Sequence, residues 1–254
     1  MIGIATEIAL LLMLAAFIAG FVDSIAGGGG LITVPALLLA GVPPVETLGT
    51  NKFQGSFGAG TAALTYARAG HVRLRDQLGM AAVSAVAAAC GALVAHLMPA
   101  GVLRIIMPVV LIGVAAFFAF RRGLSDQDRV QRMRPAVFTF TLVPAIAAYD
   151  GFFGPGTGSF FMMGFVLLAG YGVLKATAHT KLLNFASNIG SLAVFIPSGA
   201  VWWGLGLAMA LAQTAGALVG ARLAMRIGAR LIRPLLVVTS SAMALRLIWQ
   251  AVMG

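Results

Sequence analysis

Asp23-Ser24-Ile25-Ala26-Gly27-Gly28-Gly29-Gly30-Leu31-Ile32-Thr33-Val34-Pro35 is followed by Gly49-Thr50-Asn51-Lys52, then by Gly70 and Val72. The pattern returns in the second half of the chain. Asp150-Gly151-Phe152-Phe153-Gly154-Pro155-Gly156-Thr157-Gly158-Ser159 is followed by His179-Thr180-Lys181, then by Gly199 and Val201. Asp23 and Asp150 are 127 residues apart, and Lys52 and Lys181 are 129 apart. Gly70 and Gly199, Gly91 and Gly220, and Arg104 and Arg233 keep the 129-residue interval. A repeat of half a chain in a membrane protein points to transport, because two related halves can build a site that opens to either side.

Composition supplies the membrane. The 254 residues are 60% hydrophobic and only 9% charged, against about 25% charged in soluble domains. A mean hydropathy of +1.00, carried by continuous Ala-, Leu-, Val- and Gly-rich runs, reads as a polytopic helical membrane protein. A β-barrel would show polar and apolar residues in alternation. The net charge of +10 comes from 14 Arg and 3 Lys against 7 acids. Most of the basic residues lie in short loops between apolar runs, the pattern of cytoplasmic loops. No basic-aromatic surface motif supports nucleic-acid binding. Cys90 is the single cysteine, so no intramolecular disulfide can form, and within an apolar run it reads as packing.

Apolar segments fall at about 5–22, 31–40, 53–66, 78–98, 105–120, 136–148, 159–169, 183–196, 204–222 and 235–252. That is five per half. The expected organisation is a single transmembrane domain over 1–254, with repeat one at about 5–120, a cytoplasmic linker at 121–135 and repeat two at about 136–252. The N-terminal run lacks a basic leader region, carries Glu7 and continues into the motif, so it reads as a first membrane helix. Arg68, Arg73 and Arg75 in the 67–77 loop are expected in the cytoplasm. So are Lys175 and Lys181 in the 170–182 loop and Arg222, Arg226, Arg230 and Arg233 in the 222–234 loop. An odd number of segments per half then inverts the second half and puts both termini outside. The short segments 31–40 and 159–169 fall well below the about 20 helical residues that a ~30 Å core takes, so either tilted packing shortens the local span or, the expected reading, they stop near the midplane. They suggest short or re-entrant helices at the Gly-rich breaks, a backbone tolerated only against protein or a water-filled cavity.

The residues that carry chemistry sit at those breaks. Gly28, Gly29 and Gly30, and Gly156, Thr157, Gly158 and Ser159, precede short helices whose free N–H groups suit an anion. Close helix packing through small residues is the competing reading. Asp23 and Asp150 are intramembrane acids, which are scarce and usually functional. They read as gates, proton carriers or partners for a lysine, or else as turn residues holding the glycine loop. Lys52 and Lys181 each follow a residue with N-cap character, Asn51 or Thr180, and all four are candidates for the substrate site. A cation at a helix start is unfavourable by ~0.3–1 kcal/mol unless a substrate or one of the aspartates offsets it. The alternative is snorkelling to the headgroups. Gln54, Asn184, Ser187 and Asn188 follow the lysines, and the last three share one helix face at i, i+3, i+4. They line a cavity or bond neighbouring helices. Gly216 and Gly220 form a small-residue pair that packs helices within or between subunits, so a homo-oligomer is possible.

Several chemistries are unsupported. No Walker A sequence is present. His71, His96 and His179 lack metal-ligand spacing, and Ser159 has no evident base. No enzyme, metal or cofactor is therefore expected.

The paired motifs resemble the sulfite exporter TauE/SafE family over about residues 8–250. The first carrier is Asp23 to Pro35 with Gly49-Thr50-Asn51-Lys52. The second is Asp150 to Gly158 with His179-Thr180-Lys181. The resemblance implies a bacterial inner-membrane permease for small anions such as sulfite, sulfoacetate, thiosulfate and other organosulfonates or carboxylates. Its implied partners are a small anionic substrate and the lipid bilayer. The expected mechanism is secondary transport by alternating access, with Lys52 and Lys181 supplying charge and Asn184, Asn188 and Gln54 orientation. A passive anion channel and an H⁺-coupled importer are the alternatives.

Overall fold

A computed structural model describes residues 6–120 and 130–228. The described residues are helical, with no strand. Five helices make up the first half: α1 (Thr6–Ala26), α2 (Gly30–Leu39), α3 (Pro44–Arg68), α4 (Leu78–Leu97) and α5 (Ala100–Phe120). Four follow in the second: α6 (Pro135–Phe152), α7 (Thr157–Leu167), α8 (Val173–Phe195) and α9 (Trp203–Ile227). A π-turn at Phe138–Leu142 widens the start of α6, just before Pro144, which has no N–H to give the ladder. The expected tenth segment at 235–252, Arg230, Arg233 and most of the linker lie outside the described residues.

Helices α1, α4, α6 and α9 contain spans long and apolar enough to cross a membrane. They are the first and fourth helices of each half. Their outward faces carry Leu10, Leu11, Leu14, Val86, Leu93, Phe140, Leu207 and Leu211, all well exposed. So large an apolar surface suits lipid and is far from the surface of a soluble monomer. The third helices, α3 and α8, are long but polar, and they run through the interior. Lys52, Gln54, Thr180, Lys181, Ser187 and Ser191 on them are buried.

Here the structure corrects the sequence reading. Segments 53–66 and 183–196 are the apolar ends of α3 and α8, which begin nine and ten residues earlier, at Pro44 and Val173. Asn51 and Thr180 are therefore not N-caps, and neither lysine opens a helix. The helix starts instead use Pro43-Pro44 and Gly172 in extended backbone. Polar residues such as Thr47, Asn51 and Thr177 broke the apolar run without breaking the helix, because the bundle supplies their partners. The region 170–182 is mostly helix rather than loop, and Lys181 is buried in it, so Lys181 carries no topological charge.

Close backbone approach holds the halves together at matched places. A β-carbon on Gly91 of α4 would stand 2.0 Å from the Ala148 carbonyl oxygen of α6, and one on Gly220 of α9 would stand 2.4 Å from the Phe21 carbonyl of α1. Gly216 meets the Phe17 carbonyl at 2.0 Å in the same way. The Gly216/Gly220 pair is thus spent within the chain, on α1. Small residues let helices touch where lipid offers no hydrophobic drive to associate.

Candidate functional site

The two Gly-rich breaks meet. Helix α1 stops as Gly27 turns to φ +80°, and α6 stops before Gly154 at φ +98°. Only glycine takes that region without strain. A β-carbon on Gly27 would stand 2.3 Å from the Ser159 nitrogen, so the two tips are in backbone contact. Ser159 Oγ donates to the Ala26 carbonyl at 2.9 Å and ties one tip to the other. Helices α2 and α7 leave this junction with 10 and 11 residues, about 15–17 Å at 1.5 Å rise per residue.

Each aspartate sits one turn before a break and takes a lysine from the other half. Lys52 Nζ lies 2.7 Å from Asp150 Oδ1. Lys181 Nζ lies 3.5 Å from Asp23 Oδ2 and also donates to the Asp23 backbone carbonyl. Lys52 is 1% exposed and Lys181 0%, so neither snorkels. Asp150 also accepts the Ser187 hydroxyl, and Asp23 Oδ1 accepts the Gly29 N–H at 3.2 Å. Burying four charges is costly unless each is paired and hydrogen-bonded. The crossed pairs meet that condition and bring the four formal charges to zero.

Between the tips lies a cavity of about 30 Å³, enough for a few waters. Twelve of the expected residues line it: Asp23, Gly28, Gly29, Gly30, Asn51, Lys52, Asp150, Gly156, Thr157, Gly158, Asn184 and Asn188. Four do not. Lys181 is sealed behind Asp23. Gln54 Nε2 donates to Asn51 Oδ1 at 3.1 Å, where Thr33 Oγ1 also donates at 2.6 Å. Ser159 is spent on Ala26, and Thr180 Oγ1 is buried without a partner. Gly55, Gly154 and Gln213 also line the cavity. Gly154 belongs to the quoted motif. Gln213 lies deep in an apolar segment and outside both motifs, so nothing local marks it.

The lining is rich in uncommitted donors. Among the described residues, the side-chain amides of Asn184 and Asn188 form no hydrogen bond to protein. The N–H groups of Gly28, Gly30 and Gly158 likewise form none. A concave site of unpaired amides at two helix starts is suited to a small oxyanion.

Comparison with known proteins gives a consistent result. The family model for the sulfite exporter TauE/SafE matches residues 12–247. A probable membrane transporter protein ORF9 from Sinorhizobium is 60% identical over 93% of this chain and 91% of its own. The probable membrane transporter protein YfcA of Escherichia coli K12 is 42% identical over 94% and 89%. One from Haemophilus influenzae is 38% identical over 97% and 96%. No solved structure matches.

Proposed function

Because the chain belongs to the sulfite exporter TauE/SafE family, we propose that this membrane transporter moves small anions, sulfur oxyanions or organosulfonates such as sulfite, by alternating access between two inverted repeats. The observation that carries the reading is the cavity between the two Gly-rich tips, lined by Lys52 and by unbonded amides. Inverted repeats are related by an axis in the membrane plane. Matched elements can touch only near that axis, so contact between the Gly27 and Gly158 tips supports a site at the midplane. In a bacterial inner membrane, an inside-negative potential favours anion exit by about 2.3 kcal/mol per charge per 100 mV. Export therefore needs no ATP.

One observation favours a second reading, an H⁺-coupled importer of small carboxylates or sulfonates. Asp150 neutralises Lys52 at 2.7 Å, so a proton on Asp150 would free the lysine for the anion. Loading would then take up one proton with each anion.

The test uses purified protein in proteoliposomes with labelled sulfite, thiosulfate, sulfoacetate and acetate. The expected result is uptake of a labelled sulfur anion that unlabelled anion on the opposite side accelerates. External alkalinisation in step with uptake would identify the H⁺-coupled importer. Flux without counter-transport would replace the carrier with a channel, and no flux of any anion would overturn the reading.

A further inference from the structure

Gln213 belongs to α9, outside both motifs, yet its side chain reaches the cavity. It is 4% exposed, and its Oε1 is buried with no hydrogen-bond partner. Its Nε2 is likewise bonded to nothing among the described residues. Leaving a buried amide unpaired costs about 1–3 kcal/mol; its unbonded Nε2, a donor, is the end that an oxyanion can take, because Oε1 only accepts.

The amide is also held in place. A β-carbon on Gly58 of α3 would stand 2.7 Å from Gln213 Nε2, and one on Gly20 of α1 would stand 2.2 Å from the Gln213 backbone carbonyl oxygen and 2.9 Å from its Cγ. Two glycines on two other helices form the notch that receives this residue. Such fixing is what a binding group needs and what a merely space-filling side chain does not.

The repeat adds an independent argument. At the 129-residue interval, Gln213 corresponds to Ser84, Asn188 to Ala59 and Asn184 to Gly55. Ser84 spends its hydroxyl on the Leu183 carbonyl at 3.0 Å. Three cavity amides thus stand on second-half helices where the first half has two small residues and a committed serine. At these three positions the second half presents an amide that the first half lacks, so the polar lining on α8 and α9 is not a simple copy of the repeat.

Resting on the anion-transport reading, we infer that Gln213 contacts the transported anion, completing a set of three neutral amides with Asn184 and Asn188. Neutral donors can hold an oxyanion while both lysines remain paired with their aspartates. Gln213 then sets affinity and selectivity rather than charge balance.

The experiment titrates purified full-length protein with sulfite, thiosulfate, sulfoacetate and acetate, and follows the tightest binder. Gln213→Met keeps length and packing but removes the amide. It should weaken binding about tenfold and raise KM more than it lowers the maximal rate, with little change in Tm. Gln213→Glu, similar in shape but anionic, should weaken binding further. Thr214→Val, at a neighbouring hydroxyl with no partner, should leave affinity unchanged. If Gln213→Met does not fold, Gln213→Asn, one methylene shorter, carries the test and should show the same loss. Affinity within about twofold of wild type in a folded Gln213 variant overturns the inference while the anion reading stands. A wild-type protein that binds none of the four anions overturns both.

Discussion

Lys52 is held by geometry that exists only in the folded chain. Its partner Asp150 and the hydroxyl of Ser187 stand on α6 and α8, in the other half. Removing one member of a buried pair leaves the other charge uncompensated, at about 3–5 kcal/mol. Lys52→Met and Asp150→Asn should each destabilise by about that amount, and the double variant should recover most of the loss. Denaturation in detergent of all four proteins gives the coupling, and two single variants as stable as wild type would contradict a structural pair. Anion binding separates the functional role: it should fall in Lys52→Met and remain low in the stable double variant. The two lysines and two aspartates were legible as residues, since a chain this poor in charge repeats them at matched positions. Their crossed pairing was not, because it joins residues as far as 158 positions apart. Gln213 gave no signal at all, because its meaning comes from Gly20, Gly58 and the cavity.

At the scale of elements, the helices are joined by missing side chains. Gly91 on α4 approaches the Ala148 carbonyl of α6 so closely that a β-carbon would stand 2.0 Å from the oxygen, and Gly151 meets the Ala88 carbonyl from the other side at 1.8 Å. Gly79, on the same helix α4, has nothing within 4 Å. Gly91→Val should therefore force α4 and α6 apart and lower Tm by many degrees or abolish folded yield. Gly79→Val should change stability by about 0.5 kcal/mol or less, since valine forms helix no worse than glycine. Size-exclusion yield and thermal unfolding of the two variants make the comparison, and equal behaviour would refute the close contact. Apolar runs in the sequence found the described helices but cut α3 and α8 short. Hydropathy registers the apolar ends of a helix and misses a polar stretch that the neighbouring helices satisfy. The starts at Pro44 and Val173 depended on that satisfaction.

At the scale of the whole molecule, placing the basic loops in the cytoplasm predicts that residues 99–104, where α4 gives way to the start of α5, lie outside and the linker inside. A Cys90→Ser background carrying Gly101→Cys or Ser125→Cys tests this in intact cells. A membrane-impermeant thiol reagent should label Gly101→Cys directly and Ser125→Cys only after the membrane is opened. The reverse pattern would invert the topology, and labelling of both from outside would break it. By itself the sequence determined the membrane environment, the helical class, the doubled motif, the family resemblance and most residues that line the cavity. All of these rest on composition and on recurrence along the chain. Tertiary structure decided which lysine takes which aspartate, that both are buried, that only Lys52 reaches the cavity, and that Gln213 joins it. The reason is physical. A buried charge or amide takes its meaning from the partner it finds, and in this fold those partners come from the other half of the chain.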